Sequence, residues 1–82
     1  MINSKTSIEE LVNFAKEQTG KLDNGELFLV KDLFYGYEWN RISRGDRIKL
    51  GVIFNGYVHS ENSDISEVKK TPQNQWIYKK LK

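Results

Sequence analysis

The apolar residues of this chain change period once, and that change limits the folds open to it. Ile8, Leu11, Val12 and Ala15 recur at helical spacing, and a second helical pattern ends near Val58. Beyond it, residues 65–71 and 75–81 flank Pro72-Gln73-Asn74. Proline presets the first dihedral of a turn and asparagine tolerates a left-handed one, so this last third reads as a β-hairpin. A chain that passes from helices to a hairpin is an α+β protein.

The intervening segments supply the remaining elements. Thr6-Ser7-Ile8-Glu9 has the form of a capping box, and Gly20 suits a helix end, which predicts a first helix over residues 7–19. After the turn signal Asp23-Asn24-Gly25, the apolar run 27–30 fits a short buried strand. A short second helix is expected to start near Lys31 or Asp32, to carry Leu33 and Phe34 inward and to be broken or bent at Gly36. Ser43 can cap a third helix over residues 44–58, with Asp46 in its first turn facing the positive end of the helix dipole.

Helix, strand, helix, helix, hairpin is the order of a winged helix-turn-helix, in which the short strand joins the hairpin and the hairpin forms the wing. Other three-helix arrangements with a hairpin share it. No repeat, low-complexity tract or linker interrupts the chain, so residues 1–82 are expected to form one such domain.

Composition narrows the function. With 82 residues and no cysteine, the chain can bury only one modest core and has neither a disulfide framework nor a thiolate zinc site, which fits a reducing cytoplasm. No stretch has the apolar length of a membrane span, and the N-terminal residues lack the apolar run of a signal peptide. The net charge of +2 hides an asymmetry: residues 1–40 carry four lysines against seven acids, and residues 41–82 carry nine lysines or arginines against four acids. A basic half points to a polyanionic partner, although scattered lysines also serve simply as a solvated surface.

Enzymatic chemistry finds no footing. The lone His59 has no cysteine partner and reads as a surface or boundary residue, Ser43 lies in no nucleophile elbow, and the glycines form no phosphate-binding loop. Arg44-Gly45-Asp46 spells an adhesion tripeptide, but it falls in the first turn of a helix without a secretory signal. Neither metal, cofactor nor small-molecule substrate is expected.

What remains is basic residues interleaved with aromatics, in two places. Tyr35, Tyr37, Trp39, Arg41, Arg44 and Arg47 form the first group; Lys69, Lys70, Trp76, Tyr78, Lys79 and Lys80 form the second. Cations track phosphates while flat rings stack on unpaired bases, and a protein that holds single strands needs both. Phe34 and Trp39 are large enough to be claimed by the core. The candidate nucleic-acid-binding residues are therefore Tyr37 and Trp76 for stacking and Arg41, Arg44, Lys49, Lys69, Lys70 and Lys79 for phosphates. Alternation along the second hairpin strand places Trp76, Tyr78 and Lys80 on one face and Ile77, Lys79 and Leu81 on the other, without saying which is wet.

On the third helix, Leu50, Ile53, Phe54, Tyr57 and Val58 cluster as a core face, leaving Ile48, Lys49, Val52, Asn55 and Gly56 outside. Only Lys49 and Asn55 there could read base edges. Ile48 and Val52 could line an apolar pocket, a self-association face or a base-contacting patch, or be covered by the N-terminal arm.

The run from Lys31 to Gly51, KDLFYGYEWNRISRGDRIKLG, resembles a small uncharacterised-domain family encoded on staphylococcal cassette chromosomes and related mobile DNA. The matching elements are Asp32-Leu33-Phe34, Gly36-Tyr37-Glu38-Trp39, Ile42, Arg44-Gly45-Asp46-Arg47, Leu50-Gly51 and Phe54. They cover about a quarter of the chain. The resemblance implies a winged helix-turn-helix that binds single-stranded DNA cooperatively and without sequence specificity, in replication or repair of a mobile element. Members of that family can carry a tail beyond the wing suited to protein partners, whereas this sequence stops at Lys82, which puts recruitment through such a tail in doubt.

The leading expectation is thus a single-stranded DNA-binding protein, with RNA as a related target and self-association along the strand. The alternatives are a duplex-binding transcriptional regulator, disfavoured by the poor outer face of the third helix, and a protein-interaction or inhibitor module.

Overall fold

The computed structural model describes residues 2–60 and 63–81. Helix α1 spans Ile8–Thr19, strand β1 Leu27–Phe28, a 3-10 turn Val30–Leu33, helix α2 Gly36–Arg41, helix α3 Arg44–Val58, and strands β2 and β3 Ile65–Lys70 and Trp76–Lys80. The three strands form one antiparallel sheet in the order β1-β3-β2. This is an α+β fold, three helices with a small sheet, and its order is compatible with a winged helix-turn-helix. Lys82, where the sequence stops after the last strand, lies outside the described residues.

Each element starts where a side chain satisfies an open backbone group. Ser7 caps α1, its hydroxyl accepting from the Glu10 amide at 3.2 Å. The expected box at Thr6 and Glu9 is therefore one residue out of register, and Thr6 Oγ1 instead accepts from the Asn3 amide at 2.8 Å. Ser43 caps α3 as expected, accepting from Asp46 N at 3.2 Å. Asn74 adopts φ 66°, the left-handed conformation that the hairpin turn requires, and the Thr71 amide closes the turn by donating to the Gln75 carbonyl at 2.7 Å. Gly25 stands at φ 90° in the turn before β1, where its amide donates to the Lys80 carbonyl and so ties that turn to β3.

The segment between β1 and α3 departs from the sequence reading. The strand stops at Phe28, because the Asp32 carboxylate accepts from the Leu29 amide at 2.9 Å and pulls residues 30–33 into the 3-10 turn. The helix then begins at Gly36, which opens α2 instead of ending a helix. Glu38, buried, accepts from the Tyr35 amide at 3.0 Å and fixes that start.

The core lies between α1, α3 and the inner sheet face. Phe28, Phe54 and Tyr78 meet there at centroid separations of 5.4–6.4 Å. Leu11, Ala15 and Leu50 close it from the helices. A second aromatic chain leads outward, Phe14 stacked on Phe34 at 5.1 Å and Phe34 against Trp39 at 5.8 Å. Tyr78 is buried, which settles the hairpin faces: Trp76, Tyr78 and Lys80 turn inward, and Lys79 turns out. On α3, Leu50, Phe54 and Val58 are buried as expected, but Ile53 is 44% exposed because the core claims a narrower stripe than the five-residue face predicted.

Candidate nucleic-acid interface

The outer face of α3 looks toward the inner face of the hairpin near its tip. Between them, and against the 3-10 turn, lies a groove of about 730 Å³. Arg44, Arg47, Ile48, Gly51, Val52 and Asn55 enter it from one stripe of α3, the i, i+3, i+4, i+7 spacing of a helix face. Lys70 and Trp76 enter from paired positions of β2 and β3, and Gln73, Asn74 and Gln75 from the tip. Lys31 and Trp39 close the remaining side.

Four cations therefore line the groove, Lys31, Arg44, Arg47 and Lys70, and among its described lining residues there is no carboxylate. No described lining residue opposes that charge, and the carboxylate that interacts with one of the four, Glu67 with Lys70, stands outside the lining. Both tryptophans of the chain stand in the same groove, each beside a cation. Lys70 Nζ lies 5.3 Å from the Trp76 ring centroid, and the Arg47 guanidinium lies 5.3 Å from that of Trp39. Ile48 and Val52, 59% and 69% exposed, supply an apolar strip between them. The N-terminal arm does not cover that strip; Ile2 is buried elsewhere, and its carbonyl accepts from Arg41 Nη1 at 3.1 Å.

One end of the groove is fixed by a polar cluster that joins α3 to the hairpin. Asn55 Nδ2 donates to Glu67 Oε1 at 2.6 Å and to the Tyr78 hydroxyl at 3.2 Å, and His59 Nε2 meets Glu67 Oε1 at 2.5 Å. The Asn55 hydrogen bond, with His59 adding to it, holds the Glu67 carboxyl below its ordinary range. Burial pushes the Tyr78 phenol up. Asn55, one of two expected base readers on α3, thus spends its amide on the fold. His59 is exposed and acts in this cluster.

Of the candidate residues, the structure brings Arg44, Lys70 and Trp76 together in the groove. Tyr37 and Arg41 sit apart from it on α2, the Arg41 guanidinium 4.9 Å from the Tyr37 centroid. Lys69 and Lys79 lie on the opposite sheet face, in register with Ile77 and Ser66. Lys49 is exposed on α3 outside the groove stripe. The sequence places Arg47 in the first basic and aromatic group, although outside the candidate set, and gives Lys31 no such place. The spacing of Arg47 with Arg44, Ile48 and Gly51 was the signal for one of them; Lys31 had none, because its position depends on the 3-10 turn. Trp39 is half-buried and does both things asked of it, packing on Phe34 and lining the groove.

Among the described residues, no helix is long and apolar enough to cross a membrane. The sequence profile of DUF1413, a domain of unknown function, matches residues 13–80. No curated protein and no solved structure matches the chain.

Proposed function

The chain belongs to the DUF1413 family, and we propose that it binds single-stranded nucleic acid in the groove between α3 and the hairpin. The observation that carries this reading is the pairing of two tryptophans with four cations in a groove whose described lining residues include no carboxylate. Phosphates are drawn by Lys31, Arg44, Arg47 and Lys70, and bases stack on the ring faces of Trp39 and Trp76.

A single strand fits this chemistry better than a duplex does. The π-face of a base is open to a tryptophan only when the base is unpaired. Duplex readout asks for hydrogen-bonding side chains along the helix that enters the major groove, and the α3 stripe offers Ile48, Gly51 and Val52 at its centre. Such a surface accepts any sequence. The resemblance of residues 31–51 to single-strand binders of mobile elements agrees with this reading and adds replication or repair of such an element as its setting, with cooperative binding along the strand. No catalytic role is proposed.

Fluorescence anisotropy with a labelled oligothymidylate, single-stranded and then annealed to its complement, at two salt concentrations, tests the proposal. Tighter, salt-sensitive binding of the single strand is expected, with quenching of tryptophan fluorescence because both tryptophans line the groove. Alanine at Trp76 should weaken binding by about 1–3 kcal/mol while the far-UV circular dichroism stays unchanged. Preference for one duplex sequence would favour a transcriptional regulator, and no binding to either form would favour a protein partner on Ile48 and Val52.

A further inference from the structure

Gly51 is the middle residue of α3, which runs Arg44–Val58. In a helix interior glycine is less favourable than alanine, because its backbone gives up more freedom on folding. Two structural reasons ordinarily keep one there: a positive φ, or a neighbour too close to admit a Cβ. Neither holds at Gly51. Its φ is not positive, and a Cβ built on it would meet nothing within 4 Å beyond its own helix backbone and chain neighbours. Gly56, one helical step further on, has the same freedom from contact but is not among the groove's lining residues, whereas Gly51 is.

The surroundings of Gly51 say what the missing side chain leaves room for. Along the groove stripe it stands between Ile48 and Val52, both exposed, with Arg44 and Arg47 on the preceding turns. Gly51 is thus a notch in the apolar strip, through which a bound molecule reaches the backbone of α3 itself. A mid-helix amide and carbonyl are already bonded along the helix, so the notch offers a phosphate no donor. Ile48 and Val52 offer none either, and the arginines stand to one side. What suits the notch is the uncharged part of a nucleotide, its sugar and base, while its phosphates lie toward Arg44 and Arg47.

We infer that Gly51 is a close-contact point of the bound strand, where the sugar and base of one nucleotide lie directly against the α3 backbone. The inference rests on the single-strand reading of the groove and deepens it, naming the part of the ligand that meets the centre of the helix. Contact of this kind recognises shape and not base identity, because the helix backbone there has no free hydrogen-bonding group. It also gives the glycine a role that folding does not: the residue lowers the stability of α3 and leaves the groove deep enough to be filled.

The test compares Gly51→Ala and Gly56→Ala with the wild type, by thermal circular dichroism and by anisotropy with a labelled oligothymidylate at several salt concentrations. Alanine is the better helix former, and its methyl group has room at both positions, so each variant should melt about 4–8 °C higher. Gly51→Ala alone should bind the strand more weakly, by about 5- to 150-fold, the range for forcing an extra methyl group into a packed contact. No charge changes, so its slope of log affinity against log salt should match the wild type. The expected result is a more stable protein that binds less well. Wild-type affinity in Gly51→Ala would overturn the contact and leave the groove reading standing. An equal loss in Gly56→Ala would also overturn it, since that residue does not line the groove. A shallower salt slope would mean a lost phosphate contact, and a lower Tm would mean that the fold itself needs the glycine; either result overturns the inference. If the wild type binds no oligothymidylate and its tryptophan fluorescence is not quenched, the groove reading falls and the contact with it.

Discussion

The Arg47 guanidinium lies over the Trp39 ring and donates from Nη2 to the Trp39 main-chain carbonyl at 2.9 Å, so one side chain of α3 holds both the ring and the backbone of α2. Its Nε is buried without a hydrogen-bond partner. The contact fixes how Trp39 is presented to the groove, and it needs a planar, forked cation. Arg47→Lys keeps the charge but loses the fork. It is expected to lower stability by about 1–3 kcal/mol in urea titration, the range for a hydrogen bond from a charged group together with a cation–π contact. Oligonucleotide affinity should fall further than charge alone predicts. A variant with wild-type stability and affinity would mean that Arg47 is a bystander.

The groove and the outer sheet face make opposite predictions for lysine and arginine. Arg44 and Lys70 line the groove, whereas Lys69 and Lys79 project from the other side of the hairpin. Alanine at Arg44 or at Lys70 should each reduce the slope of log affinity against log salt by about 0.7, the single-strand value per phosphate contact. Alanine at Lys69 or Lys79 should leave that slope alone. The same loss at all four positions would show a diffuse electrostatic footprint and not a groove.

Local signals carried much of this architecture. Ser43 and the apolar spacing behind it located α3 to the residue, and Pro72-Gln73-Asn74 located the hairpin with Asn74 left-handed. What failed was the stretch between Leu29 and Arg41, where side chains three residues ahead decide the backbone. Asp32 and Glu38 each reach back to an amide, and carboxylates in polar sequence give no periodicity to read. The site was legible by residue type and not by place. Trp76, Lys70 and Arg44, drawn from two separate basic and aromatic groups, line one groove, yet Lys69 and Lys79 share that composition and face away. Strand register decides this, and register depends on which face Tyr78 buries, which is a property of the whole core.

Glu67 gives the hairpin an acid-sensitive attachment to α3. Its folded carboxyl titrates below the ordinary 4.5, chiefly because Asn55 donates to the charged form. A group lowered in this way contributes its stability fully above its unfolded value and loses it as pH falls through the folded one. The wild type should therefore lose urea stability below about pH 4.5 more steeply than Glu67→Gln does, the glutamine carbonyl still accepting from Asn55 without a charge to titrate. Parallel pH profiles for the two proteins would show that the Glu67 charge is not coupled to folding.

Ser43 separates the stability of the groove from its chemistry. Its hydroxyl accepts from the Asp46 amide and sets the first turn of α3, from which Arg44 and Arg47 enter the groove. Ser43→Ala removes an N-cap and should cost about 1 kcal/mol. For a domain of this size that corresponds to a fall of about 4–8 °C in Tm, measured by thermal circular dichroism. Ser43→Asp should recover it, since aspartate caps equally well and its charge favours the positive end of the helix dipole. Below the transition α3 is intact in both variants, so Ser43→Ala should bind single strands as the wild type does. Ser43→Asp, although the more stable of the two, should bind more weakly, because it sets a carboxylate beside Arg44. An alanine variant that lost affinity at a temperature where it is fully folded would instead place the Ser43 hydroxyl at the strand itself.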